Sequence, residues 1–226
     1  MHLEIHERTM KTRHTYIILT AAILMTATSC IKEKLEITYN NQETRIDSYI
    51  EGKRYVKRPG QVPVRDPETG EPVTDSETGS PIMKDTTYID TLAVHYDNGS
   101  SRLVLKEGEE NGETLSGKGT VALYYAGYTF SGNFSPANLF TTNYRDAAEE
   151  SGWDLTDASY GEPMLIDMRD EELIEGLRNG LKGVKAGEEC EILFSGKYGF
   201  GNKMFGIVPA NSALLFKIWV VSLTNE

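Results

Sequence analysis

Histidine and cysteine are nearly missing from this sequence: its 226 residues contain four of the first and two of the second. His2, His6 and His14 sit close to the N-terminus, so His95 is the one histidine in the body of the chain. One histidine and one or two thiols cannot assemble a zinc site of three or four nitrogen and sulfur ligands. No metal and no cofactor is expected. A Ser-His-Asp arrangement would have to use His95, which lies in the alternating stretch LAVHYDNG, where an exposed strand position is the ordinary reading.

Positive charge is also scarce. Lys and Arg number 23 against 34 Asp and Glu, a net charge of −11. That excess repels phosphate backbones and anionic lipid surfaces, so neither nucleic acid nor a bare membrane surface is an expected partner. Long apolar runs are absent apart from Tyr16 to Met25, too short to cross ~30 Å of hydrocarbon as a helix. Lys11 and Arg13 precede that run and small residues follow it, which is the pattern of a secretory signal over residues 1–29. Glu4 and Glu7 stand where a signal should be basic, making Met10 rather than Met1 the expected start.

Ala27-Thr28-Ser29-Cys30 resembles a bacterial lipobox, with Ala27 where Leu is commonest. The resemblance implies cleavage before Cys30 and a lipid on its thiol, hence a protein of the bacterial cell envelope, periplasmic or on the outer-membrane surface. It would touch the membrane only through the Cys30 lipid, and Cys190 would have no disulfide partner. Cys190 alternates with Ile192 and Phe194 in ECEILF and is expected in the core with no redox role.

What is present suits one globular core with additions: 39% of residues are apolar and 25% charged. Residues 30–91 read as an extension. Its first ten residues after Cys30 are polar and read as a tether. NQETRIDSYIEGKRYV places Ile46, Tyr49 and Ile50 at helical spacing, a short amphipathic helix ending near Gly52. DPETGEPVT and DSETGSPIM then form a nine-residue repeat from Asp66 to Met83, rich in turn formers, with flanking segments suited to the arms of a long hairpin.

From residue 92 onward the signals sharpen. TLAVHY, the Asn98-Gly99 turn and SRLVLKEG predict a hairpin. GTVALYYAGYTF predicts a strand, residues 131–162 irregular chain, and EPMLIDM a short strand. DEELIEGLRNGLKGV predicts a helix with Asp170, Glu171 and Glu172 at its positive end and Gly183 as its stop. ECEILF and SALLFKIWVVSL predict closing strands. The order describes an α+β fold whose antiparallel sheet packs one face on that helix. A monomer is expected.

Five pieces in this order resemble the FKBP family of peptidyl-prolyl isomerases: LYYAG at 123–127, LFTTN at 139–143, LIEGLRNGLKGVKAGE at 173–188, KYGFG at 197–201 and GIVPANSALLF at 206–216. The resemblance implies an FKBP-like domain over residues 92–226, an antiparallel sheet wrapped around one short helix, acting on proline-containing polypeptides through an apolar pocket. Carried over by position, it implies Tyr125, Phe140, Ile174, Phe200 and Phe216 as the catalytic set, with the Ile174 N–H turned toward the ligand. Thr141, Met164, Leu173, Leu177, Tyr198, Ile207 and Val208 would bind substrate. From spacing alone Leu173, Leu181 and Phe194 are core residues, whereas Phe140, Ile207 and Val208 fall on expected loops, where large apolar side chains need a binding reason.

The chain departs from the family's pattern at four of these positions. Thr141 stands where the family has Asp, Phe200 where it has Tyr, Leu177 where it has a Trp floor, and Met164 where it has Phe. The pocket stays apolar and loses orienting groups. Two readings follow: a prolyl isomerase, or an FKBP-fold module that holds peptides or assembles partners without catalysis.

Overall fold

The computed structural model describes residues 31–153 and 161–225; the signal and lipidation expectations for residues 1–30 lie outside them. Two long strands, β5 (Thr120–Phe130) and β9 (Ala213–Thr224), pair antiparallel over almost their whole length, from Thr120 opposite Thr224 to Phe130 opposite Ala213. They form the centre of a seven-stranded antiparallel sheet. Beyond β9 come β8 (Glu189–Phe194), β4 (Ser100–Lys106) and β3 (Val94–Asp97). Beyond β5 the edge is shared: β7 (Met164–Asp167) pairs with its first half and β6 (Leu139–Thr142) with its second. The expected hairpin of β3 and β4 is present, with Asn98 and Gly99 both at positive φ in the turn.

Helix α3 (Glu175–Leu181) lies on one face of this sheet. Leu177 and Leu181 pack there with Ile192, Phe194, Leu214 and Ile218. The approach is close because a Cβ on Gly176 would stand 2.2 Å from the ring of Phe194. The helix is shorter than its periodicity predicts. Asp170 Oδ1 accepts the Glu172 N–H and the Leu173 N–H donates to the Asp170 carbonyl, so residues 170–173 form a turn that competes with helix. Gly183, at φ 79°, closes the other end as expected.

The opposite face is covered as well, which corrects the one-faced sheet of the sequence reading. A helix over residues 31–53, α1, packs Ile46 and Ile50 against Leu103, Ala126, Tyr128, Leu193 and Leu215. Residues 31–40, expected to be a tether, are helical and belong to α1. The reason is legible in β8 and β9: Ile192 and Phe194 face α3 while Leu193 faces α1, so both sides of these strands shed water. A polar anchor adds to the packing. Glu191, with a fully buried side chain, accepts from Lys53 Nζ at 2.6 Å and from the Tyr49 hydroxyl at 3.0 Å. The stretch expected to be irregular also contains α2 (Arg145–Glu150), whose Ala147 and Ala148 are buried.

The extension forms the expected hairpin, β1 (Tyr55–Pro63) against β2 (Met83–Thr91). The two repeats are turns at its tip. Asp66 Oδ1 accepts the N–H groups of Glu68 and Thr69, and Asp75 Oδ1 those of Glu77 and Thr78, which holds both carboxyls below the usual range. Val64, Val73 and Ile82 close the junction by donating to Ile82, Val64 and Val73 in turn.

Candidate active site

Phe216 of β9 lies opposite Gly127 of β5, and Thr141 of β6 lies opposite the same glycine from the other side. A Cβ at residue 127 would meet Phe140 Cζ, Phe216 Cε1 and Thr141 Cγ2, each at 2.9 Å. Only glycine leaves room for the two rings to converge there. Phe140 stands edge-on to Phe216 at 5.8 Å between centroids and 88° between planes. The Tyr125 ring lies 6.5 Å from that of Phe216 between centroids. Phe200 meets Phe140 edge-on at 6.2 Å, and Phe205 stacks on Phe200 at 4.4 Å.

These rings bound an apolar cavity of about 360 Å³. Ile174 and Leu177, at the start of α3, line it together with Leu173 and Met164. Phe140 and Leu173 correct two expectations. Phe140 is on a strand, not a loop. Leu173 is half-buried at the cavity wall and not a core residue, because the chain before Glu175 is a turn.

Polar groups are few. The Tyr125 hydroxyl and Thr141 Oγ1 lie 3.3 Å apart. The Ile174 backbone N–H, at the helix start, has no hydrogen-bond acceptor among the described residues. Asp170 and Glu172 lie at the rim. Such a site can hold an apolar ring in a water-poor setting and offers no paired acid and base.

Nine of the twelve expected pocket residues are thus brought together: Tyr125, Phe140, Thr141, Met164, Leu173, Ile174, Leu177, Phe200 and Phe216. Tyr198, Ile207 and Val208 are not on the wall. The Tyr198 ring is spent covering the Gly99 turn, where a Cβ would come within 2.0 Å of it. Val208 is buried in the core at 1% exposure, which corrects its assignment to a pocket loop. Ile207 is 73% exposed in the tight turn that Phe205 and Val208 close by exchanging backbone hydrogen bonds. Phe205 takes the place expected of that loop. Leu123, Ile166 and Ile218, also on the wall, escaped the sequence reading although each sits two residues from a residue it named, on the same strand face. Asp170 and Glu172 were read as helix rather than rim.

Comparison with known proteins bears on the same segment. Residues 118–221 match the family described as FKBP-type peptidyl-prolyl cis-trans isomerase. That segment is similar to the FKBP family. FK506-binding protein 1A of Neurospora crassa is 37% identical over 70 residues, 30% of this chain and 58% of that protein. The FKBP-type peptidyl-prolyl cis-trans isomerase FkpA of Buchnera aphidicola is 32% identical over 71 residues, 30% of this chain and 27% of that protein. The chain therefore spans little more than half the length of the fungal FK506-binding proteins it matches. Among solved structures, the N-terminal domain of FKBP42 from Arabidopsis thaliana superposes with a TM-score of 0.43 at 20% identity, covering 59% of this chain and 93% of that one. The matched segment contains Tyr125, Phe140, Thr141, Met164, Leu173, Ile174, Leu177, Phe200, Phe205 and Phe216 of the cavity wall, and it excludes α1 and the β1–β2 arm.

Proposed function

We propose that this domain catalyses cis/trans isomerisation of Xaa-Pro bonds in polypeptides of the bacterial cell envelope. The observation that carries the reading is the cavity itself, large enough to admit a proline ring and walled by Tyr125, Phe140, Phe200 and Phe216. Rotation about the bond meets a barrier of about 20 kcal/mol because amide resonance must be broken. The twisted amide is less charge-separated than the planar one, so an apolar, water-poor wall favours it over the ground state. In this reading the Ile174 N–H, at the helix start beside the cavity, orients the substrate carbonyl.

A second reading is favoured by one pair of residues. Thr141 supplies a hydroxyl where the family has a carboxylate, and Phe200 supplies no hydroxyl at all. A module that holds peptides without turning them over would need only the apolar wall. Each missing hydrogen bond is worth about 0.5–1.5 kcal/mol, roughly two- to tenfold in rate.

Protease-coupled isomerisation of Xaa-Pro tetrapeptides by the purified protein separates the two. Turnover above the thermal rate that is lost on Phe140→Ala supports the isomerase. No turnover in the native protein, with turnover gained by Thr141→Asp and Phe200→Tyr together, supports the holding module.

Attachment through a lipid on Cys30 belongs to the same proposal. With residues 31–53 helical, the domain would hang from its anchor through α1, along which Tyr39 lies about 12 Å from residue 31. Incorporation of an alkynyl fatty acid that disappears in Cys30→Ala is the expected result; labelling that persists in the variant counts against it.

A further inference from the structure

The segment between β8 and β9 carries two of the cavity rings, Phe200 and Phe205, and has no strand or helix to hold it. Its base is a small knot of backbone bonds. The Gly201 N–H donates to the Gly196 carbonyl at 3.0 Å, and the Asn211 N–H donates to the Gly201 carbonyl. Both ends of that base are gripped by α1, which lies outside the FKBP-matched segment.

Gln42 makes the grip. The Gly196 N–H donates to Gln42 Oε1 at 2.8 Å, and Gln42 Nε2 donates to the Asn211 carbonyl at 2.6 Å. The side-chain amide has one orientation that satisfies both, since one partner is a donor and the other an acceptor. It bridges the two ends as a backbone peptide would in a strand ladder. One helical turn earlier, the Tyr39 hydroxyl donates to Asn211 Oδ1 at 2.7 Å. Asn211 itself is at φ 61°, a left-handed conformation that its external partners help to fix. A helix that merely covered the sheet would place apolar residues at positions 39 and 42; this one places two hydrogen-bonding groups, each bonded to the segment that carries the rings.

We propose that Tyr39 and Gln42 are positioning residues for the cavity, clamping segment 195–211 so that the Phe200–Phe205 wall stays closed over the site. The clamp stands on the hydrogen bonds alone; its consequence for turnover rests on the isomerase reading. Without the clamp the segment samples open arrangements, and the apparent dissociation constant for substrate is divided by the fraction that remains closed. The effect falls on KM and leaves the chemical step within closed molecules unchanged.

The test compares the native protein with Tyr39→Phe/Gln42→Ala, with Gln42→Glu, which keeps the acceptor for Gly196 and loses the donor to Asn211, and with Thr44→Ala as a control. Thr44 lies on the same helix and bonds only within it. Hydrogen exchange, peptide binding by calorimetry and steady-state kinetics are read together. The double variant is expected to speed exchange within 195–211 by about tenfold while β5 and β9 keep their protection, and to raise KM about tenfold with kcat within about twofold. Gln42→Glu recovers part of the protection, and Thr44→Ala matches the native protein. Unchanged exchange in 195–211 overturns the proposal, as does faster exchange with peptide affinity unaltered. Uniform loss of protection across the sheet also overturns it, since that is what a purely structural helix would show. A native protein that binds the peptide without turning it over sinks the isomerase reading alone, and exchange with calorimetry still decides the clamp. If it binds no peptide at all, exchange alone decides it.

Discussion

Phe205 lies flat against Phe200, ring centroids 4.4 Å apart and planes 12° from parallel, although more than half of Phe205 is exposed. An exposed ring held by one face contributes little to folding and much to the shape of whatever it covers. Phe205→Ala is expected to lower stability by about 1 kcal/mol and kcat/KM by about tenfold, through KM. Chemical unfolding and peptide kinetics on the same preparation check it; unchanged kinetics would remove Phe205 from the site.

Gly127 is the point on which the aromatic wall turns. Gly127→Ala drives a methyl group to 2.9 Å from three side-chain atoms of Phe140, Phe216 and Thr141. The rings must move apart, at a cost of about 1–3 kcal/mol. The midpoint of urea unfolding is expected to fall, and peptide affinity with it. A variant as stable and as tight-binding as the native protein would show that the rings relax without consequence.

Glu191 is buried in full and is paired to Lys53, which is partly exposed. Removing the cation leaves a carboxylate in the sheet with the Tyr49 hydroxyl as its remaining partner in this pair of contacts. Lys53→Met is expected to cost about 2 kcal/mol, and Lys53→Met combined with Glu191→Leu less than the sum of the two single changes. A double-mutant cycle by urea unfolding measures the difference, and additivity would mean the pair is not coupled.

The Tyr128 hydroxyl is buried and has no hydrogen-bond partner among the described residues. Burial first, then the carboxylates of Glu150 and Glu191, push its pKa up to about 12. Above pH 10 the unfolded tyrosine loses its proton while the folded one keeps it, so stability falls as pH rises. The slope is about 1.4 kcal/mol per pH unit for this group, from roughly pH 10 to 12. Tyr49 is raised as well, by burial and by Glu191, and acts in the same direction. Tyr128→Phe is therefore expected to be neutral or slightly stabilising at pH 7 and to remove this group's share of the alkaline slope. Urea titrations at pH 7 and pH 11 give both quantities; an unchanged slope would place the ionisation elsewhere.

Much of the fold was readable because period and turn chemistry are local. Alternation in ECEILF and SALLFKIWVVSL, the Asn98-Gly99 turn and Gly183 each point to the element that forms there. The extent of α1 was not readable. Its inward stripe runs Leu35, Tyr39, Gln42, Glu43, Ile46, Tyr49 and Ile50, and the polar members break the apolar pattern while satisfying groups on a distant loop. The start of α3 was misread for a similar reason, since Asp170 prefers to bond its own turn.

Residue order settles the strands, the hairpins and the aromatic character of Tyr125, Phe140, Phe200 and Phe216, because those depend on neighbours a few positions away. Tertiary structure alone decides which apolar residues face the cavity and which the core. Val208 and Leu173 exchange the places their spacing suggests because burial is set by what packs against a residue across the fold. The same physics assigns Gln42 its partners: a side-chain amide on an outer helix finds the open backbone groups of Gly196 and Asn211 only once the sheet has brought them together.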